Sequence, residues 1–250
     1  MQEIHFYDRN IGLLTQEEQL KLNSFKVLVC GVGGVGGICN ELLVRAGVGN
    51  LFTIDCDVFE LTNLNRQIHS TLDVLGKSKI QTLHQKLSSI NPNLNFYGST
   101  TKLEPSTYDF YINKISSFSP NIIIDAFDNA AARVLIYRIS RTLGIDYLYA
   151  ACSSNLAIVS IFSKKSPNLE QLFNLQTENL NIFLAYNKLE KSKIVNPAFG
   201  PATNLCGCLA TNAALNYLLK RKGAYPLAPK IWFVNINSSF FFKVKNLKSK

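Results

Sequence analysis

Short apolar runs alternate with amphipathic stretches along the first two-thirds of the chain. Lys26-Val27-Leu28-Val29-Cys30 is an apolar run that ends in glycines, the pattern of a strand buried in a parallel sheet. A helix is expected from Gly34 to Ala46, with Leu42, Leu43 and Ala46 on its apolar face and Gly47 and Gly49 closing it. Leu51–Ile54 reads as a second strand. A helix over Lys77–Ile90, stopped by Asn91-Pro92, leads into a strand at Leu94–Tyr97. After a helix around Thr107–Ser117 comes the clearest buried strand, Asn121–Ala126. A helix over Ala130–Thr142 and strands at Tyr147–Ala151 and Leu156–Phe162 follow. Such alternation predicts an α/β fold, a Rossmann-like, doubly wound, mainly parallel sheet whose ligand edge is the carboxyl end of the strands.

The pattern loosens over 163–199, which reads as a crossing loop without strong periodicity. A helix returns at Thr203–Lys220. Ile231–Ile236 and Phe240–Val244 read as a hairpin turning at Asn237-Ser238, an antiparallel extension over 230–246. With an N-terminal arm and helix over 1–24 and no linker, residues 1–250 are expected to form one domain.

Composition narrows the class. At 47% hydrophobic and 17% charged residues the chain is a folded globular protein, not a disordered one. No apolar run reaches the roughly 18 residues of a membrane span, and the N-terminus lacks signal-peptide order, so a cytoplasmic protein without membrane partners is expected. The net charge of +9 suits a polyanion such as tRNA or an acidic protein, although Lys243, Lys245, Lys248 and Lys250 place part of it in the tail. The six cysteines form neither a disulfide framework nor a CxxC pair, so no zinc is expected. Cys206-Gly207-Cys208 reads as core.

Gly31-Val32-Gly33-Gly34-Val35-Gly36 joins the first strand to the first helix of the sheet. Glycines there let backbone approach a phosphate, and the helix N-terminus supplies N–H donors, so Gly31, Gly33, Gly34 and Gly36 are candidate nucleotide-binding positions. Asp55, at the end of the second strand, suits a ribose hydroxyl. To this point NAD and ATP fit equally well. The segment from Asp57 through Asn63, Asn65 and Arg66 to Lys79 then adds polar groups and cations that a dinucleotide oxidoreductase does not need. A triphosphate attacked at its α-phosphorus does need them. Asp128-Asn129, directly after the buried fourth strand, offers a carboxylate for Mg²⁺, with helix capping as the plain alternative.

Taken together, GVGGVG, IDCDVFELTNLNRQ, LGKSK and DAFDN resemble the ThiF/MoeB/HesA family of ubiquitin-activating-enzyme-like adenylyltransferases, from about Tyr7 to Leu219. The resemblance implies a homodimer that uses ATP and Mg²⁺ to join a substrate carboxylate to AMP. Carried over by motif, Gly34 faces the phosphates, Asp55 the ribose, and Asn63, Arg66 and Lys79 the triphosphate, with Asp128 on the metal. Tyr7-Asp8-Arg9-Asn10 resembles the family's arginine motif, which makes Arg9 a candidate acting in the partner's site. Unlike many relatives, this chain has no pair of CxxC motifs and no cysteine within 163–199. The expected substrate is the C-terminus of a small ubiquitin-fold carrier protein or a peptide. A TcdA-like dehydratase acting on tRNA threonylcarbamoyl-adenosine is the alternative, and an NAD-dependent oxidoreductase or nucleotide sensor the reading from another class.

Overall fold

The computed structural model describes residues 6–191, 197–238 and 242–246. Eight strands form one sheet: β1 (Lys26–Cys30), β2 (Asn50–Ile54), β3 (Asn95–Ser99), β4 (Ile122–Asp125), β5 (Tyr147–Ser153), β6 (Leu156–Phe162), β7 (Lys230–Asn235) and β8 (Phe242–Asn246). Their spatial order is β3-β2-β1-β4-β5-β6-β7-β8. The first five are parallel, whereas β6, β7 and β8 each run antiparallel to the strand before. This is the expected doubly wound sheet with an antiparallel extension. Phe240, where the last strand was expected to begin, lies outside the described residues, as do Lys248 and Lys250.

The helices are α1 (Gln16–Ser24), α2 (Gly34–Ala46), α3 (Lys79–Ile90), α4 (Tyr108–Phe118), α5 (Ala130–Leu143), α6 (Leu169–Leu172), α7 (Ile182–Lys191) and α8 (Gly200–Leu218). Local chemistry sets several of their ends. Thr15 Oγ1 accepts from Glu18 N at 3.1 Å while Thr15 N donates to Glu18 Oε2 at 2.9 Å, a reciprocal cap for α1. Gly47 and Gly144, both left-handed, end α2 and α5.

The helices bury two apolar layers. One, on the α2, α3 and α8 side, contains Val27, Val29, Leu43, Leu51, Leu83 and Ala210. The other, under α4, α5 and α7, contains Leu28, Ile54, Ile123, Leu135, Tyr147 and Ala185. Alternate residues of β1 thus serve opposite layers, which is why its run is apolar throughout.

Four expectations need correction. The helix placed at Lys77 starts at Lys79, because Ser78 caps it with its side chain. The last helix starts at Gly200, with Pro201 in its first turn, rather than at Thr203. Of the stretch 163–199, the described residues are not an irregular loop: they carry α6 and α7. Buried Leu169, Leu172, Ala185, Tyr186 and Leu189 seat the segment on the α5 layer, and one guanidinium ties its polar backbone down. Arg138 of α5 donates to Glu170 Oε1 at 2.8 Å, Glu170 Oε2 at 2.7 Å, Thr177 O at 2.6 Å and Leu180 O at 2.8 Å. Cys206 is buried as expected, but Cys208 is exposed.

Candidate functional site: the glycine turn and its polar rim

The parallel register sets Cys30 of β1 beside Ile54 of β2 and Asp125 of β4. The turns after these strands therefore emerge side by side at one edge of the sheet. Gly31 turns the chain there with φ +97°, and a Cβ on it would stand 2.8 Å from Ala126 O. A Cβ on Gly36 would stand 2.0 Å from Gly31 O, so neither position admits a side chain. Gly33 is the N-cap of α2 and offers no side chain to the helix, which leaves first-turn N–H groups free for an anion. Gly34 has a second role. Its Cβ direction is filled by Thr203 Oγ1 at 2.8 Å, so it sets the approach of α8 to α2.

Asp55 joins this turn to the polar rim. Its Oδ2 accepts from Val32 N at 2.6 Å and its Oδ1 from Asp57 N at 2.9 Å. Burial pushes the Asp55 carboxyl above its usual range, opposed by the nearby Lys79 ammonium and these two N–H groups. Asp57 Oδ2 in turn takes Lys79 Nζ at 2.9 Å; the lysine side chain is 7% exposed and the aspartate 60%. The ammonium is therefore held inward, and Asp57 is the anion that offsets a lysine at a helix start.

Asn63 is buried, and its Oδ1 accepts from Glu60 N at 3.0 Å. Half-buried Arg66 donates through Nη1 to Thr62 O at 2.7 Å and Asn65 Oδ1 at 2.9 Å, leaving its other N–H groups available. Asn65 Nδ2 donates to Ala198 O at 3.1 Å.

Across β1, Asn129 Oδ1 accepts from Ala132 N at 2.7 Å and so caps α5. Asp128 is exposed, with no hydrogen bond or ion pair among the described residues. Beneath it, buried Asp125 accepts from Phe127 N at 3.0 Å, from Tyr147 Oη and from Arg133 Nη1 at 3.2 Å. Arg133 also donates to Ala150 O at 2.8 Å and stacks 4.6 Å from the Tyr149 ring centroid. Asp125 is thus a structural anchor for the turn that presents Asp128.

The structure gathers the glycine turn, Asp55, Asp57, Lys79, Asn63, Asn65, Arg66, Asp128 and Asn129 at one edge. Arg9 is not with them. Its turn, Asp8–Asn10, is tied through Asn10 Nδ2 to Gln19 Oε1 at 3.0 Å and Ala46 O at 3.4 Å, at the far end of α2. Thirteen residues of helix, about 20 Å, separate that end from Gly33. Gln67 escaped the sequence reading. It is 6% exposed, its Oε1 has no partner, and its Nε2 lies 3.9 Å from the Cβ direction of Gly33. Its place next to Arg66 was the available signal.

These residues suit a nucleoside triphosphate: free helix N–H donors, an inward lysine, a partly free guanidinium and a buried amide face one edge. No group of three or more His, Cys, Asp or Glu among the described residues is poised for a metal. One free carboxylate, Asp128, suits Mg²⁺ only in company with phosphate oxygens.

Among curated proteins, the chain is 30% identical over 131 residues to the tRNA threonylcarbamoyladenosine dehydratase of Bacillus subtilis, covering 52% of this chain and 50% of that protein. It therefore spans half the length of that relative. It is 27% identical over 220 residues to the molybdopterin-synthase adenylyltransferase of Haemophilus influenzae, covering 86% of this chain and 84% of that one. In fold it is similar to E. coli MccB, solved with ATP, at a TM-score of 0.80 and 19% identity over 100% of this chain and 72% of that chain. The ThiF family matches residues 7–250, and the chain belongs to that family.

Proposed function

We propose that the protein is an ATP- and Mg²⁺-dependent adenylyltransferase that activates a substrate carboxylate as an acyl-adenylate. The observation that carries this reading is the unbroken hydrogen-bonded path from the glycine turn through Asp55 and Asp57 to Lys79. That path fixes a cation at a set position relative to the free N–H groups of α2. In the reaction a carboxylate oxygen attacks the α-phosphorus, the bond to the bridging oxygen of the β-phosphate breaks, and pyrophosphate leaves. Mg²⁺ held by Asp128 would neutralise charge on the phosphate oxygens. Lys79, Arg66 and Gln67 supply fixed donors to the departing phosphates, worth several kcal/mol where water is excluded. Asp55, with a lone pair left on each oxygen, accepts from the ribose.

The family resemblance makes Arg9 a residue of a homodimer, reaching a partner's site. The 20 Å span of α2, which keeps it from its own glycine turn, supports action in trans (about 20 Å from the helix rise). A small ubiquitin-fold carrier protein or a peptide is the preferred acceptor, and tRNA the second reading, favoured by the net charge of +9. The protein is proposed to work in the cytoplasm.

ATP–pyrophosphate exchange tests the reading. Arg66→Ala and Asp128→Ala are expected to abolish exchange with the fold intact, and full activity in either would remove the site assignment. Mixing Arg9→Ala subunits with Asp128→Ala subunits is expected to restore part of the activity. No restoration, in a mixture shown to exchange subunits, would rule out action in trans.

A further inference from the structure

The end of the sheet away from the glycine turn is a basic surface. Lys26 opens β1 there. Phe162 of β6 pairs with Tyr147, the first residue of β5, so Lys164 and Lys165 leave the sheet at the same end. Lys230 opens β7, and its carbonyl accepts from Ser160 Oγ at 2.9 Å. Helix α8 ends beside them, because Tyr217 Oη donates to Asp146 Oδ2 at 2.7 Å, and Lys220 and Lys222 follow it. We propose that this end of the sheet is a second binding surface, which holds folded RNA through its phosphates. The proposal goes beyond the adenylation reading and does not depend on it.

Charge is the first argument. All six lysines are exposed, and none has an ion pair among the described residues. Carboxylates nearby are already matched: Glu17 with Lys21 and Glu18 with Arg221, each at 2.7 Å, and Asp146 with Tyr217. The surface is therefore a local excess of positive charge in a chain of net charge +9. Like charges gathered at one end repel each other, and a polyanion relieves that repulsion. From β1 to β7 the strand order crosses four intervals, about 19 Å in all. One strand of nucleic acid presents a phosphate about every 3.4 Å, so that width faces about five of them.

The surrounding side chains select the kind of polyanion. Arg141 donates to Ser163 O at 2.8 Å and to Lys164 O at 3.2 Å, so the turn carrying Lys164 and Lys165 is held in place. Rings near this end lie under cations: Lys26 Nζ stands 5.8 Å from the Phe118 centroid, and Lys245 Nζ 4.2 Å from that of Phe233. Covered rings offer unpaired bases no stacking platform, so a helical nucleic acid fits better than a single strand. Ser163, Ser166 and Asn121 stand among the lysines, and their hydroxyls and amide suit the 2′-OH groups of RNA. A bilayer surface would instead call for exposed aromatic and leucine side chains. Between Lys220 and Lys230 the one exposed large apolar side chain is Leu227, at 38%. Strand β1 is five residues long, about 16 Å, so RNA held here leaves the nucleotide edge open.

The experiment is fluorescence anisotropy of the full chain with a labelled RNA duplex of about 20 base pairs and with the DNA duplex of the same sequence. Co-sedimentation with phosphatidylglycerol vesicles is measured in parallel. RNA affinity is expected to fall about 100-fold between roughly 50 and 200 mM salt, as for counterion release from about four phosphates. Lys164→Glu with Lys230→Glu is expected to weaken RNA binding about tenfold or more at an unchanged melting temperature. Lys220→Glu with Lys222→Glu should act in the same direction. Lys77→Glu with Lys191→Glu makes the same change of net charge outside this surface and should leave RNA affinity within about twofold. The DNA duplex should bind at least about threefold more weakly, and a saturating non-hydrolysable ATP analogue should not displace RNA. Equal losses in all three double variants would overturn the proposal, because net charge alone would then account for binding. So would equal affinity for DNA, displacement of RNA by the analogue, or capture by vesicles without RNA binding. RNA binding without binding of the analogue would uphold this surface and remove the adenylation reading instead.

Discussion

Arg138→Ala tests how much one guanidinium adds to the apolar contacts that hold the crossing segment. Its four hydrogen bonds reach one carboxylate and two carbonyls across 169–180, and the partners' side chains are 17% and 3% exposed. Truncation leaves the buried Glu170 carboxylate without its counter-ion. Breaking one side of such a pair costs about 3–5 kcal/mol, far more than an exposed ion pair contributes. Replacing both partners removes the stranded charge. Arg138→Met with Glu170→Met should therefore cost less than Arg138→Ala alone, and a double-mutant cycle should return coupling of about 2 kcal/mol or more. Urea denaturation at equilibrium reads the global loss. Limited proteolysis between Leu169 and Lys191 reads local opening, the expected form because the clamp ties the segment's polar backbone to α5 while Leu169, Leu172, Ala185, Tyr186 and Leu189 hold it by burial. An Arg138→Ala protein with an unchanged urea midpoint and unchanged cleavage would refute the reasoning.

Further outcomes follow from the same geometry. Gly36→Ala should abolish nucleotide binding and lower the melting temperature, because its Cβ would stand 2.0 Å from Gly31 O with no flexible atom to give way. Lys79→Met should reduce exchange by about 100-fold or more, by loss of a fixed donor, while costing less than about 1 kcal/mol in urea. Its partner Asp57 is 60% exposed and can be hydrated. Burial pushes the His69 imidazole below its usual range, outweighing the Gly37 carbonyl and Glu41. Below about pH 6.5 the unfolded chain therefore takes up a proton that the folded chain refuses, and stability falls as pH drops. His69→Gln should flatten that dependence in denaturation curves collected from pH 7.5 to 5.5 (about one unit either side of the ordinary value).

How much of this was legible in the sequence depends on whether the cause is local. The buried run at β4, the glycine turn, and Asp55 and Asp128 at strand ends could be placed because a parallel strand sends its next residues to the ligand edge. Helix starts were less accurate. Ser78 outcompeted Lys77 as the boundary of α3 through a cap hydrogen bond, 3.5 Å from Gln81 N, that composition alone does not rank. The stretch 163–199 looked patternless because α6 has only four residues and is fixed by Arg138, a residue from another helix. Gln67 was missed for a related reason. Its importance lies in a buried, unpartnered oxygen and its nearness to Gly33, both properties of tertiary packing.

That dependence on distant partners also shapes the site. The crossing segment touches both halves of the nucleotide edge. At its start, Phe173 stacks on Tyr149 with centroids 4.8 Å apart, Tyr149 lies under Arg133, and Arg133 holds Asp125 at the base of the turn that carries Asp128. At its end, Ala198 holds Asn65, which holds Arg66. A shift of this segment would displace Asp128 and Arg66 together. Side chains in such a chain have few alternative packings, so small shifts are transmitted rather than absorbed. Phe173→Ala would cut the first connection and leave the second intact. It is expected to weaken Mg²⁺-dependent binding of an ATP analogue and to leave binding without Mg²⁺ unchanged. Equal loss with and without Mg²⁺ would show that Phe173 acts on the fold as a whole, and not through Asp128.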